Sequence, residues 1–68
     1  MIHSHTFVSA MLMSCEYDDE NKELTVIFNN GKPYIYEDVP IETYRELITA
    51  ESGGRYFNLI KAGLTVKK

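Results

Sequence analysis

Ser52-Gly53-Gly54-Arg55 is the stretch of this chain whose residue types best suit chemistry. Glycines at a helix start leave backbone N–H groups open, and an arginine beside them can fork a phosphate, so the four residues read as an anion site. The same residues also describe a capped helix start, with Ser52 as N-cap and glycines for a tight turn. Tyr34 and Tyr36 form a second candidate, preceded by the cation Lys32. Exposed, such rings stack bases at about 1–3 kcal/mol each; turned inward, they are sheet residues with their hydroxyls at the rim.

Other reactive types lack partners. Cys15 alternates with Met13 and Tyr17 and has no base near it in sequence, so it reads as a small core residue. Met1-Ile2-His3 has the order of a square-planar copper or nickel site, with His5 nearby, yet such a site needs a free, flexible terminus and arises readily by accident. The acidic run Glu16, Asp18, Asp19, Glu20 and Glu23 lacks calcium-loop spacing and reads as a solvated turn. Nothing has zinc-site spacing, and no nucleophile, base and orienting group form a set. The expectation is a protein without catalytic residues, metal or cofactor: a binding module, not an enzyme.

The elements that must position these residues follow from periodicity. Residues 1–10 show no sustained period and read as an N-terminal arm. From Met11, alternation of Met13, Cys15 and Tyr17 predicts a strand, and Leu24, Val26 and Phe28 predict a second. Asn29-Asn30-Gly31 is a hairpin signal, and Tyr34-Ile35-Tyr36 completes a three-stranded antiparallel meander. Two lengths of this loop remain open. A two-residue turn leaves Tyr34 and Tyr36 on the face of Thr25 and Ile27 as an exposed platform. A three-residue loop with Gly31 in a bulge sets Val26 opposite Tyr34 and Leu24 opposite Tyr36, and is favoured because it gathers the largest apolar groups on one side.

Pro40 suits a helix start, and Ile41, Tyr44, Leu47 and Ile48 recur at helical spacing to about Ala50. A second helix runs from Ser52 to Gly63 with Tyr56, Phe57, Leu59 and Ile60 as its apolar stripe. Both helices are expected on one face of the meander, an α+β fold. Leu24, Val26, Phe28, Tyr44, Leu47, Phe57 and Ile60 are the expected core. Residues 11–63 then form one domain, and 64–68 a basic tail, although Leu64-Thr65-Val66 is also compatible with a short strand.

With 68 residues the chain has room for one core, and a chain this size buries only roughly 60% of its unfolded surface. Self-association would add stability, so a homo-oligomer is expected. The single cysteine excludes a disulfide framework and points to a reducing compartment, here the cytoplasm. No apolar run approaches the roughly 20 residues that cross a bilayer, so no membrane partner is expected. A net charge of −3 argues against general polyanion binding, but everything after Glu51 that is charged is positive.

Ser9, Tyr17-Asp18, Leu24-x-Val26-x-Phe28, Gly31, Tyr34-x-Tyr36, Val39-Pro40, Ala50-x-Ser52-x-Gly54 and Tyr56-Phe57-Asn58, in that order, resemble the KTSC domain. That domain is named for the C-terminus of some lysyl-tRNA synthetases and also stands alone in bacteria and phages. The resemblance runs from about Ser9 to Lys61 and implies a small α+β fold, no established activity and a role in RNA binding. Two positions depart from the pattern: Ala10 stands where a second serine is expected, and Lys61-Ala62-Gly63-Leu64 replaces a basic, aromatic ending.

The sequence therefore leads to a module for RNA or another phosphate-bearing nucleotide, held by Lys32, Tyr34, Tyr36, Ser52, Gly53, Gly54 and Arg55. The competing expectation is a protein-interaction module, an inhibitor or adaptor of the kind a phage or mobile element encodes, acting through a sheet edge or an apolar face.

Overall fold

The computed structural model describes residues 1–67, with strands β1 (Ile2–Thr6), β2 (Leu12–Asp18), β3 (Glu23–Phe28), β4 (Pro33–Glu37) and β5 (Thr65–Val66). Helices α1 (Ile41–Thr49) and α2 (Gly53–Ile60) lie between β4 and β5, and a 3₁₀ turn, Lys61–Gly63, ends α2. The strands form one sheet in sequence order with every neighbour antiparallel.

The turn after Phe28 fixes which way the tyrosines point. Gly31 N–H donates to the Phe28 carbonyl at 2.8 Å, and Phe28 N–H donates to the Lys32 carbonyl at 3.1 Å. Gly31 itself has φ +85°, a left-handed conformation that glycine takes without a Cβ penalty. This is the three-residue loop, and it sets Val26 opposite Tyr34 and Leu24 opposite Tyr36. Both rings therefore share the face of Leu24 and Val26.

That face carries both helices. Leu12, Cys15, Tyr17, Leu24, Val26, Tyr36, Val39, Tyr44, Leu47 and Phe57 form the buried core. Phe28 and Ile60, expected within it, are partly buried and pack against it. Each fully buried aliphatic side chain contributes about 1.5–3 kcal/mol. Aromatic contacts fix the helices in place: Tyr44 of α1 stacks on Tyr17 with centroids 5.2 Å apart, and Phe57 of α2 meets Phe28 and Tyr36 edge-on at 5.7 Å. Burial also pushes the Cys15 thiol up to about 12, so it stays protonated and acts as a small apolar residue.

The link from β4 to α1 is pinned at Val39. Its N–H donates to the Lys22 carbonyl at 2.9 Å, and its carbonyl accepts the Tyr17 hydroxyl at 2.5 Å. Asp38 just before it sits at φ +56°, which turns the chain out of β4 toward the helix.

At the ends of the chain the strand count changes, and the short strand compatible with Leu64-Thr65-Val66 forms at Thr65–Val66. The arm over residues 1–10 is in large part β1, paired with β2 from Ile2↔Asp18 to Thr6↔Ser14. It shows little apolar alternation because it is an edge strand whose inward positions are His3 and His5. The tail over 64–68 contains β5, with Val66 opposite Tyr36 and Lys67 N–H donating to the Ile35 carbonyl at 2.7 Å. Lys68 lies outside the described residues. The sheet thus has five strands rather than three. Its other face, with Met13, Pro33 and Ile35 exposed, carries no helix.

Candidate nucleotide-binding groove

Helix α2 begins as Ser52 predicts. The Ser52 Oγ accepts from the Arg55 N–H at 3.4 Å, and the Ser52 carbonyl from the Tyr56 N–H at 3.0 Å. The two glycines, however, face the chain's own N-terminal segment. A Cβ on Gly53 would lie 2.6 Å from the Phe7 ring, and one on Gly54 would lie 2.9 Å from the Ser9 Oγ. Ser9 is itself fixed, because its Oγ accepts from the N–H groups of Met11 at 3.1 Å and Leu12 at 3.3 Å. The close backbone approach at these glycines is thus taken by Phe7 and Ser9. Asn29 ties the β3–β4 loop to the same segment, donating its side-chain amide to the Ser9 carbonyl at 2.9 Å.

Three clefts adjoin one another around α2. The first, of about 310 Å³, is lined by Met11, Phe28, Asn30, Tyr34, Tyr36, Phe57, Asn58 and Lys61. Its floor is aromatic. Tyr34, 43% exposed, stands at the rim with its ring edge-on to Phe28 at 5.2 Å. Tyr36 is 5% exposed, and burial raises its hydroxyl pKa above the ordinary tyrosine value. The second cleft, of about 330 Å³, shares Met11 and Asn58 with the first and adds Val8, Ser9, Ser52, Gly54 and Arg55. The third shares Ser52 and Arg55 and runs toward Tyr56 and Leu59.

The expected site residues thus divide between neighbouring clefts. Tyr34 and Tyr36 line the first, whereas Ser52, Gly54 and Arg55 line the second. Gly53 sits half-buried against Phe7. Lys32 is exposed in the hairpin turn, its N–H on the Asn30 side chain at 3.0 Å, and lines none of the three clefts. The residues common to both clefts, Met11 and Asn58, and Lys61 at the far side of the first do not stand out in the sequence. Gly54, Asn58 and Lys61 share one helix face at spacing i, i+4, i+7, and that spacing is the signal that would have found them.

The groove's electrostatics are simple. Among the described residues neither Arg55 nor Lys61 takes part in an ion pair; the pairs present are Lys67 with Glu23 and the Met1 amine with Asp19 and Glu20, while His3 shares a hydrogen bond with Asp19. Two unpaired cations therefore flank a lining of aromatic rings and side-chain amides. No group of three or more metal-ligating side chains occurs among the described residues, and the Met1 amine lies on Asp19 at 2.9 Å.

The comparisons with known proteins agree with this architecture. A crystal structure of a KTSC domain protein from Yersinia pestis superimposes with a TM-score of 0.88 at 28% identity, covering 100% of this chain and 97% of that one. A protein of Stutzerimonas stutzeri, described as uncharacterized, is 44% identical over 52 residues, 76% of this chain and 73% of its own length. A protein of Tsukamurella paurometabola is 36% identical over 50 residues, 74% of this chain and 75% of its own. The KTSC domain model matches residues 8–61, which span β2 to the end of α2 and both halves of the groove, and the chain belongs to the KTSC domain family.

Proposed function

We propose that this chain is a non-enzymatic binding module that holds a short stretch of RNA, or another phosphate-bearing nucleotide, in the groove along α2. The observation that supports this reading is the adjacency of two clefts along α2: Met11 and Asn58 line both the tyrosine cleft and the arginine cleft. A base on the Tyr34 ring would have the Asn30 and Asn58 amides within the same cleft as donors and acceptors for its edge. Arg55 and Lys61 are six positions apart, roughly 9 Å of helix rise, and offer two sites for phosphate. Tyr36 and the glycines support the walls rather than the ligand.

A net charge of −3 and two groove cations favour a short or mononucleotide ligand over a long duplex. The lone, buried Cys15 suits a reducing cytoplasm. No helix among the described residues is long and apolar enough to cross a membrane.

Calorimetric titration with short single-stranded RNA, mononucleotides and cyclic dinucleotides tests the reading. Binding that Tyr34→Ala and Lys61→Ala each weaken, with the fold intact by circular dichroism, supports it. No heat from any of them at millimolar ligand overturns it in favour of a protein-interaction module. The helix-free sheet face with Met13 and Ile35 exposed favours that second reading.

A further inference from the structure

The two edges of the sheet are finished differently. On one side the edge strand is β5, only two residues long, and Lys67 beside it pairs with Glu23. A short edge with a lysine guards against pairing with another chain. On the other side the edge is β1, Ile-His-Ser-His-Thr, which holds no lysine, proline or carboxylate and pairs with β2 without a break.

Its outward groups follow from the bonds at its two ends. Asp19 N–H donates to the Met1 carbonyl at 3.3 Å, and Phe7 N–H donates to the Met13 carbonyl at 3.0 Å. The odd-numbered residues of this stretch are therefore the ones bonded to β2. Antiparallel neighbours alternate, so the N–H and C=O groups of Ile2, Ser4 and Thr6 face the open edge.

We propose that this edge is occupied by a second copy of the chain, β1 pairing antiparallel with β1 of the partner protomer about a two-fold axis at Ser4. The strand is self-complementary in this register. Ile2 pairs with Thr6 of the other protomer, Ser4 with Ser4, and Thr6 with Ile2, so every outward N–H and C=O of the strand is satisfied. Moving the axis to His3 or His5 leaves only two such pairs. His3 of each protomer then stands opposite His5 of the other on the helix side, and Ile2, 58% exposed, packs beside a threonine methyl on the opposite face. With no carboxylate, lysine or arginine in the strand, no permanently charged side chains meet across the axis. The two sheets become one, and the exposed edge disappears.

The axis at Ser4 gives a distinctive test by analytical ultracentrifugation. The side chain of Ser4 is exposed and points away from the helices, so its replacement leaves the core alone. Wild-type protein should sediment as a dimer in the micromolar range. Ser4→Lys and Ser4→Glu each set two like charges opposite one another across the axis, and each should raise the dissociation constant by up to about fivefold. Because Ser4 lies opposite Glu16 of β2, the lysine variant should melt no earlier than wild type and the glutamate variant slightly earlier. An equimolar mixture of the two should dimerise again, because the axis then joins a lysine to a glutamate. Should either variant melt early, Ser4→Pro removes the outward N–H without touching a bond to β2 and is read the same way. A wild-type monomer throughout the micromolar range overturns the proposal and leaves the edge to an extended strand of a different protein. A dimer indifferent to both charged variants also overturns it. Nucleotide binding at the groove is read separately and decides neither outcome.

Discussion

The Ser9 hydroxyl oxygen stands 2.9 Å from where a Cβ on Gly54 would lie. Alanine normally stabilises a helix by about 1 kcal/mol relative to glycine. Here the oxygen cannot step aside without losing its bonds to the Met11 and Leu12 N–H groups. Gly54→Ala should therefore destabilise the protein by about 1 kcal/mol or more in urea denaturation. In a Ser9→Gly background the obstacle is gone, and the same substitution should turn neutral or stabilising. A double-mutant cycle reads the reversal directly. Gly63, with nothing within 4 Å of its Cβ position, is the control that should tolerate alanine.

Tyr17→Phe should cost about 1–3 kcal/mol. The ring would stay stacked on Tyr44, but the buried carbonyl of Val39 would lose the hydroxyl that satisfies it. Chemical denaturation measures the loss. Tyr56→Phe, by contrast, removes an exposed bond to Glu46 and should change stability far less.

Why some of this was legible and some not comes down to sequence separation. The place of Tyr34 and Tyr36 follows from a local signal, since Asn29-Asn30-Gly31 sets a loop length and the loop length sets the register. The helices follow from the spacing of Tyr44, Leu47 and Phe57. β1 hides because an edge strand with His3 and His5 on its inner face lacks the alternation that marks a half-buried strand. Gly53 and Gly54 mislead for another reason: what they accommodate, Phe7 and Ser9, lies some 45 residues earlier in the chain, and a helix start reads alike whether its glycines admit a ligand or a side chain. Asn58 and Lys61 become groove residues only once the β3–β4 loop closes on the other side.

The docking of β1 should depend on pH through Asp19. The hydrogen bond from the Met1 amine, and then the one shared with His3, hold this carboxyl below its ordinary value of 3.8. A lowered folded-state pKa stabilises above the unfolded value, and that contribution is lost as pH falls through the folded one. The amine is raised above 8.0 by the same contact, so its share is present below pH 8.0 and lost as pH rises through the raised value. Backbone resonances of Ile2–Thr6 should move toward unstructured positions as pH drops below about 3.8. Asp19→Ala should abolish this acid step while leaving the resonances of β3 in place. An acid step that survives in Asp19→Ala would assign it to another carboxylate.

The groove residues should separate by their response to salt. A single-stranded ligand that meets phosphate at both Arg55 and Lys61 should show a slope of log affinity against log salt of about −1.4, since each contact contributes about 0.7. Arg55→Ala and Lys61→Ala should each flatten that slope by about 0.7, and the double variant should bring it near zero. Tyr34→Ala should behave differently: it should lose about 1–3 kcal/mol of binding with the slope unchanged, because stacking releases no counterions. Lys32→Ala should alter neither quantity, as its side chain lines none of the clefts. A ligand whose affinity falls with Arg55→Ala but not with Tyr34→Ala would be bound at the serine–arginine end alone, as a phosphate without its base.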